Sequence, residues 1–296
     1  MVNRKVMQLD RHLIRKSFSK AAKTYAEHAV VDAEIQQRLI ERLEVVKKTP
    51  EVVLDLGCGL ATSLSPIKQL WPECQVVGMD VALPMLKQGK VDELVESGGH
   101  RLCGDAHAIP LASESVDVIF SNFLLPWILN LDLGFSEMRR ILKPDGMIVL
   151  STFGLDTLHE LKQSAWEVDG QAHVNDFMEI REIGDRMLAV GFLNPVLDID
   201  RLTLTYSNVS GLLKDLKLTG NGNMRKDRQQ TLTAKGFIPK LEERYETYRE
   251  NGMLPATYEI VYAMAWSPAP GQPWKVDGMD VAHISPENIK IRKNTS

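Results

Sequence analysis

Val53-Leu-Asp55-Leu-Gly57-Cys-Gly59-Leu-Ala61 decides how this chain folds. It begins as a continuous apolar run rich in β-branched residues and breaks at two closely spaced glycines. That pattern reads as a buried strand turning tightly into a helix. Working outward, Glu51-Val-Val-Leu-Asp-Leu56 is the strand, and Leu60 to Leu70 the helix, stopped at Trp71-Pro72. The unit then repeats. Gln75-Val-Val-Gly-Met79 reads as a second strand and Ala82 to Val95 as its helix, ended by Gly98-Gly99. Arg101-Leu-Cys103 is a short third strand, and Val116-Asp-Val-Ile-Phe-Ser121 a fourth, followed by a helix around Gly134 to Leu142. Lys143-Pro-Asp-Gly146 turns into a fifth strand, Met147 to Thr152. Apolar strands alternating with helices predict a parallel sheet covered on both faces.

Beyond residue 152 the rhythm changes. Residues 155–177 read as helical, Val174 to Phe192 as a helix ending at Gly191, and Leu197 to Tyr206 as a strand. Residues 207–250 read as helical, polar and charged, broken at Gly220-Asn-Gly-Asn223, before a last strand, Thr257 to Trp266. The expectation is an α/β, Rossmann-like fold: seven mostly parallel strands with helices on both faces. An N-terminal helical lid segment (1–48) precedes a main domain (49–268), whose insertions near 155–177 and 207–250 cap the carboxyl ends of the strands, where such sheets bind ligands. The Pro-, Gly- and charge-rich stretch 269–296 reads as a loosely ordered tail.

The bulk properties narrow the function class. A 296-residue chain with 44% apolar and 25% charged residues is an ordinary globular composition. The formal net charge of −4 disfavours a general nucleic-acid binder. No apolar run approaches a membrane span. Cys58, Cys74 and Cys103 form no CxxC metal or redox pair, so reduced thiols, a cytoplasmic protein and no metal site are expected. The start of the chain is basic, but its amphipathic pattern runs on into the helix Ala29 to Val46, which disfavours a targeting segment.

Gly57 and Gly59 let the backbone turn and approach a ligand without a Cβ clash. Asp80, twenty-one positions after Gly59, ends the second strand, where a carboxylate can accept both ribose hydroxyls of an adenosine. Gly104-Asp105-Ala106 puts a second carboxylate after the third strand, near the adenine amino group. A dinucleotide fingerprint would place a third glycine where Thr62 stands, and Asp55 would repel a pyrophosphate. A carboxylate there suits the ammonium of a methionyl group, so the expected cofactor is S-adenosylmethionine, leaving as S-adenosylhomocysteine. Each residue also has a plainer reading: Asp80 as a helix cap, Cys58 as packing, Asn122 as a turn cap.

The set Asp-x-Gly-Cys-Gly, Gly-Met-Asp80, Gly-Asp105-Ala and Leu-Lys-Pro-Asp-Gly146 resembles the class I methyltransferases. Further stretches resemble the malonyl-acyl-carrier-protein O-methyltransferases of biotin synthesis. These are Phe18-Ser-Lys-Ala-Ala-Lys-Thr-Tyr25, Ser121-Asn-Phe-Leu-Leu-Pro-Trp127, Phe153 to Leu161 with His173-Val-Asn-Asp-Phe177, Leu212 to Lys217, and Pro255 to Trp266. Ala61, Pro126, Lys162 and Met264 depart from that family's usual glycine, glutamine, arginine and small residue. The resemblance implies that the malonyl carboxylate of malonyl-acyl carrier protein, or of malonyl-CoA, is methylated, with neither a nucleic acid nor a membrane as partner. The cofactor set is then Tyr25, Asp55, Gly57, Cys58, Gly59, Asp80, Val81, Asp105, Ala106 and Asn122. Alternatives are a related methyltransferase acting on a protein side chain or small molecule, and a binding module without catalysis.

Tyr25, His159, His173 and Arg201 are the positioning candidates. Tyr25 closes over the methionine end or packs on the first helix. Arg201, His159 or His173 holds the malonyl carboxylate, with Arg the better fork; Arg201 could equally pair with Asp198 or Asp200. Leu212 to Gln230, with five cations against Asp215 and Asp227, is either a docking site for an acidic carrier protein or a solvated face.

Overall fold

The computed structural model describes residues 8–89, 99–228, 236–276 and 279–282. Seven strands form one sheet: β1 Val52–Leu56, β2 Gln75–Asp80, β3 Gly99–Cys103, β4 Val116–Asn122, β5 Leu142–Phe153, β6 Leu193–Tyr206 and β7 Leu254–Trp266. Their order is β3-β2-β1-β4-β5-β7-β6. The first five pair in parallel, while β7 lies antiparallel between β5 and β6. The order reverses between β1 and β4, and the crevice above that reversal is where such sheets bind ligands.

The near-continuous apolar character of the strands follows from burial on both faces. Val53, Phe120 and Val149 pack with Ile35, Leu39 and Leu43 on one face. Their strand neighbours Leu54, Ile119 and Ile148 pack with Phe135, Met138, Ile183 and Met187 on the other. The helix Val30–Glu41 is therefore a layer of the fold, with Ile35 and Leu39 fully buried. Of the N-terminal segment read as a lid, the helix Arg11–Ala21 is the part that closes on the strand ends. It is capped by Asp10, whose side chain accepts from Leu13 N. No described helix is long and apolar enough to cross a membrane.

Several element boundaries differ from expectation for local reasons. The helix after the glycine loop starts at Leu64, not Leu60, because Gly59 and Ala61 both adopt positive φ (53° and 60°). Residues 155–177 contain one helix, His159–Asp169, stopped by Gly170 at φ 67°. The next helix is Ile180–Ala189, because Asn175 donates to Gly222 O and accepts from Met224 N, holding its stretch extended. Lys143 to Gly146 lies within β5, with Asp145 at φ 61°. Among the described residues, the 207–250 region holds two α-helices, Val209–Leu218 and Phe237–Tyr245, and a 3-10 turn, Glu246–Tyr248. Part of the expected tail is ordered: strands Pro273–Val276 and Met279–Ala282 pair as a hairpin, and the Trp274 ring lies against Arg139, 5.4 Å from its guanidinium carbon. After β2 the helix Leu83–Gln88 is seen; its expected continuation to Val95 and the rest of the tail lie outside the described residues.

Phe135 is fully buried on the second face and meets Phe192 edge-on, ring centroids 6.3 Å apart. Phe135→Ala should cost about 3–5 kcal/mol of stability in a urea titration. A loss under 1 kcal/mol would mean this face is not the packed core described here.

Candidate functional site

The glycine loop is fixed by backbone bonds to the neighbouring strand. Gly57 N and Cys58 N donate to Met79 O at 2.8 and 3.1 Å. Gly57 sits at φ 83°, and a Cβ there would meet Leu124 Cβ at 3.0 Å, so a side chain would bring both backbone strain and crowding. Asp80 closes the arrangement: its carboxylate accepts from Gly59 N (2.9 Å) on one oxygen and from Ala82 N (2.7 Å) on the other. Burial raises its pKa, and these backbone donors oppose the shift.

A cavity of about 370 Å³ opens at the strand ends. Gly57, Asp80 and Val81 form its floor, and Asp105 and Ala106 one wall. Leu124, Trp127 and Ile128, after β4, form the wall opposite. Arg11, His12, Ile14 and Arg15 of the first helix close it. Five of the ten expected cofactor residues thus share one cavity; Tyr25, Asp55, Cys58, Gly59 and Asn122 do not line it. Cys58 is buried among core residues, with its thiol pushed well above the ordinary range by burial. Asn122 donates to Asp32 O (2.9 Å) and accepts from Ser151 Oγ (2.6 Å), tying the helix Val30–Glu41 to the sheet. Tyr25 packs with Leu60, Ala82 and Met85 and donates to Asp32 at 2.5 Å. Burial and Asp32 keep its phenol neutral, so it is no base.

Asp105 is held by two partners that the sequence reading missed. Its Oδ1 accepts from His107 N (2.9 Å) and meets His107 Nδ1 at 2.7 Å. His107 Nε2 accepts from Asn130 N (3.1 Å), which assigns the ring proton to Nδ1. Arg11 reaches the other oxygen. Burial pushes the Asp105 carboxyl up, but His107 and then Arg11 hold it below its usual value. The Asp-x-His spacing was the one local signal for His107; nothing near Arg11 in sequence points to a residue ninety-four positions away.

The acceptor candidates separate. Arg201 lies on the edge strand β6, paired with Asp156 (2.6 Å) and Glu259 (3.1 Å) rather than with Asp198 or Asp200, so it is committed on the outer face. His159 is half-exposed at the start of its helix, against Asp156 O. His173 bonds Asp169 (3.0 Å) and packs on Phe237. None of the three lines the cavity at the strand ends. A different cation, Lys162, stands against Phe177. Lys162 Nζ lies 4.8 Å from the Phe177 ring centroid and donates to Leu155 O at 3.1 Å. Burial lowers its pKa, against the pull of Asp176, Asp156 and Glu259. Phe177 packs on Phe153, and Phe153 stacks on Phe123 at 4.1 Å, so an aromatic file links Lys162 to the residue following Asn122.

Asp55 is 2% exposed, with Ser63 Oγ as its hydrogen-bond donor, and burial pushes it up to about 7. Its folded pKa therefore exceeds the ordinary value of about 3.9, and the stability it contributes is fully present only below that value. It is lost as pH rises from about 4 to about 7. In ligand-free protein Asp55→Asn should therefore raise the melting temperature relative to wild type at pH 8, with the advantage shrinking below about pH 7 and gone by about pH 4. A difference that stays constant across the range would show that Asp55 does not titrate there.

Residues 54–150 match the family profile described as a methyltransferase domain. The chain is 38% identical to the malonyl-[acyl-carrier protein] O-methyltransferase of Methylovorus sp., over 88% of this chain and 90% of that protein. It is 40% identical to the enzyme of the same name from Gallionella capsiferriformans, covering 88% and 92%. The Xylella fastidiosa protein of that name is 37% identical, covering 97% and 98%. Among solved structures, the YcgJ protein of Bacillus subtilis superposes with a TM-score of 0.54 at 16% identity, covering 79% of this chain and 97% of that one. A methyltransferase from Thermotoga maritima gives 0.50 at 14%, covering 86% and 99%. Those two likenesses extend to the fold alone.

Proposed function

The chain belongs to the malonyl-[acyl-carrier protein] O-methyltransferases, and we propose that it moves the methyl group of S-adenosylmethionine to the free carboxylate of a malonyl group on an acyl carrier protein, an early step of biotin synthesis. The observation that carries this reading is the strand-end cavity, which sets two carboxylates, Asp80 and Asp105, a strand apart above the glycine loop. That donor set fits an adenosine: two acceptors facing hydroxyls and an amino group.

In this reading Gly59 N and Ala82 N aim the Asp80 carboxylate so that its remaining lone pairs take the ribose hydroxyls. Asp105 turns towards the adenine amino group, His107 holding its other side. Asp55 shifts to its ionised form as it meets the methionyl ammonium. The bound cofactor supplies an electrophilic methyl on a sulfonium. The acceptor carboxylate, with an ordinary pKa near ~4, is already ionised at neutral pH and needs no base. The chain's work is orientation and exclusion of water, for which the Phe123, Phe153 and Phe177 file provides apolar walls. Lys162 is the cation for the carboxylate end. It is half-buried, one of its three donors is taken, and among the described residues it has no carboxylate within 4 Å.

Purified enzyme given S-adenosylmethionine should esterify malonyl carrier protein and leave acetyl carrier protein, which lacks the free carboxylate, unmodified. Label appearing on a protein side chain, or no transfer to malonyl, would contradict the reading. Asp80→Ala should weaken cofactor binding by about 1.5–3 kcal/mol in a calorimetric titration. Lys162→Ala should lower kcat/KM for the malonyl acceptor by about the same amount, with cofactor affinity kept and Lys162→Arg retaining most activity. Equal cofactor affinity in Asp80→Ala and wild type would dismiss the adenosine assignment.

A further inference from the structure

The chain as a whole is acidic, yet the helix Arg11–Ala21 carries Arg11, Arg15, Lys16 and Lys20 with no acidic residue. Arg11 is engaged by Asp105. Lys16 and Lys20 are exposed one turn apart, a like-charge spacing that destabilises an isolated helix, and exposed Lys23 follows. This helix is fastened beside the helix Val209–Leu218: Ser17 Oγ donates to Gly220 O (3.2 Å) and Thr24 Oγ1 to Leu218 O (2.8 Å). The second helix adds exposed Lys214 and Lys217, and the acid between them, Asp215, is taken by His28 at 3.0 Å. Among the described residues, none of Lys16, Lys20, Lys23, Lys214 and Lys217 lies in an ion pair. The two helices thus present exposed lysines, and the one acid in either helix, Asp215, is engaged by His28.

The following segment, cationic in sequence, behaves differently. Arg225 is only 15% exposed and bonds Asp176 and Asp227, while Arg228 donates to Arg225 O (2.7 Å) and faces Asp10. Arg225 thus holds the segment to Asp176, Arg228 faces the chain's start, and neither is free for a partner.

A second cavity, of about 300 Å³, lies behind the face. Ser17 and Lys217 stand at its rim, and Leu161, Ala165, Leu213 and Leu216 line it. Leu161 and Ala165 belong to the helix that carries Lys162, so the cavity and the acceptor cation occupy neighbouring sides of one helix.

We propose that this cationic face seats the acidic carrier protein, and that the cavity behind it admits the carrier's flexible arm on its way to Lys162. The proposal rests on the malonyl-acceptor reading above. Charge complementarity at an exposed rim acts on encounter rate and weakens with salt, leaving the chemical step alone.

The test compares wild type with Lys16→Glu/Lys20→Glu/Lys214→Glu, three positions outside both cavities, using malonyl carrier protein and malonyl-CoA. The triple variant should raise KM for the carrier protein about tenfold at low salt, with kcat and the malonyl-CoA kinetics retained. High salt should erase most of the difference. Leu216→Trp, which narrows the cavity, should raise KM for both acceptors while cofactor affinity in a titration stays unchanged. An unchanged KM for carrier protein in the triple variant, or an equal loss on both acceptors, would overturn the docking surface. An unchanged KM in a folded Leu216→Trp would overturn the arm's route. Loss of wild-type binding to anionic vesicles in the triple variant, with carrier kinetics intact, would assign the face to a membrane instead. If wild type methylates neither malonyl acceptor, the functional reading fails by itself.

Discussion

Asp80 holds the site together through two backbone hydrogen bonds. Because its carboxylate accepts from Gly59 N on one side and Ala82 N on the other, the end of β2 is locked to the loop leaving β1. A buried carboxylate is costly unless its lone pairs are met, so the loop must pass where its N–H can reach, and only positive φ at Gly57 and Gly59 takes it there. The floor of the cavity, the start of the helix at Leu64 and the exposure of the remaining Asp80 lone pairs all follow from that one junction.

The side of the cavity formed by the first helix is built on weaker contacts. Arg11 meets Asp105 with its own side chain 67% exposed, and an exposed pair of this kind contributes about 0–1 kcal/mol. The helix Arg11–Ala21 is anchored more firmly elsewhere, by buried Ile14 and Ala21 and by its bonds to Gly220 and Met224. Its inner end is therefore held at Asp105 less firmly than the rest of the helix is held to the chain. The cavity-lining Arg11 and Arg15 and the exposed Lys16 and Lys20 share one helix without sharing side chains.

The parallel core was legible from the sequence because strand burial on both faces writes continuous apolar runs, and the order Asp55, Gly57, Asp80, Asp105 follows the strand ends one by one. What lay hidden depends on contacts between distant parts of the chain. Arg11 reaches Asp105, and Asn175 reaches Gly222 and Met224, across separations that leave no periodic trace. The same non-local bonds shortened the expected helix before Ile180. They also made Arg225 a fastening where its sequence neighbours suggested a docking charge. Arg201 misled for a related reason: a lone arginine on a strand shows its charge, but its partners Asp156 and Glu259 are set by tertiary packing.

The crystal structure of this chain with S-adenosylhomocysteine bound tests the account most directly. The account predicts the ribose hydroxyls on the Asp80 carboxylate, the adenine amino group at Asp105 with Arg11 moved aside, and the sulfur facing the Phe123 side of the crevice. A nucleoside seated away from the β1–β4 strand ends, or one leaving the Arg11 contact to Asp105 and both Asp80 oxygens untouched, would contradict it.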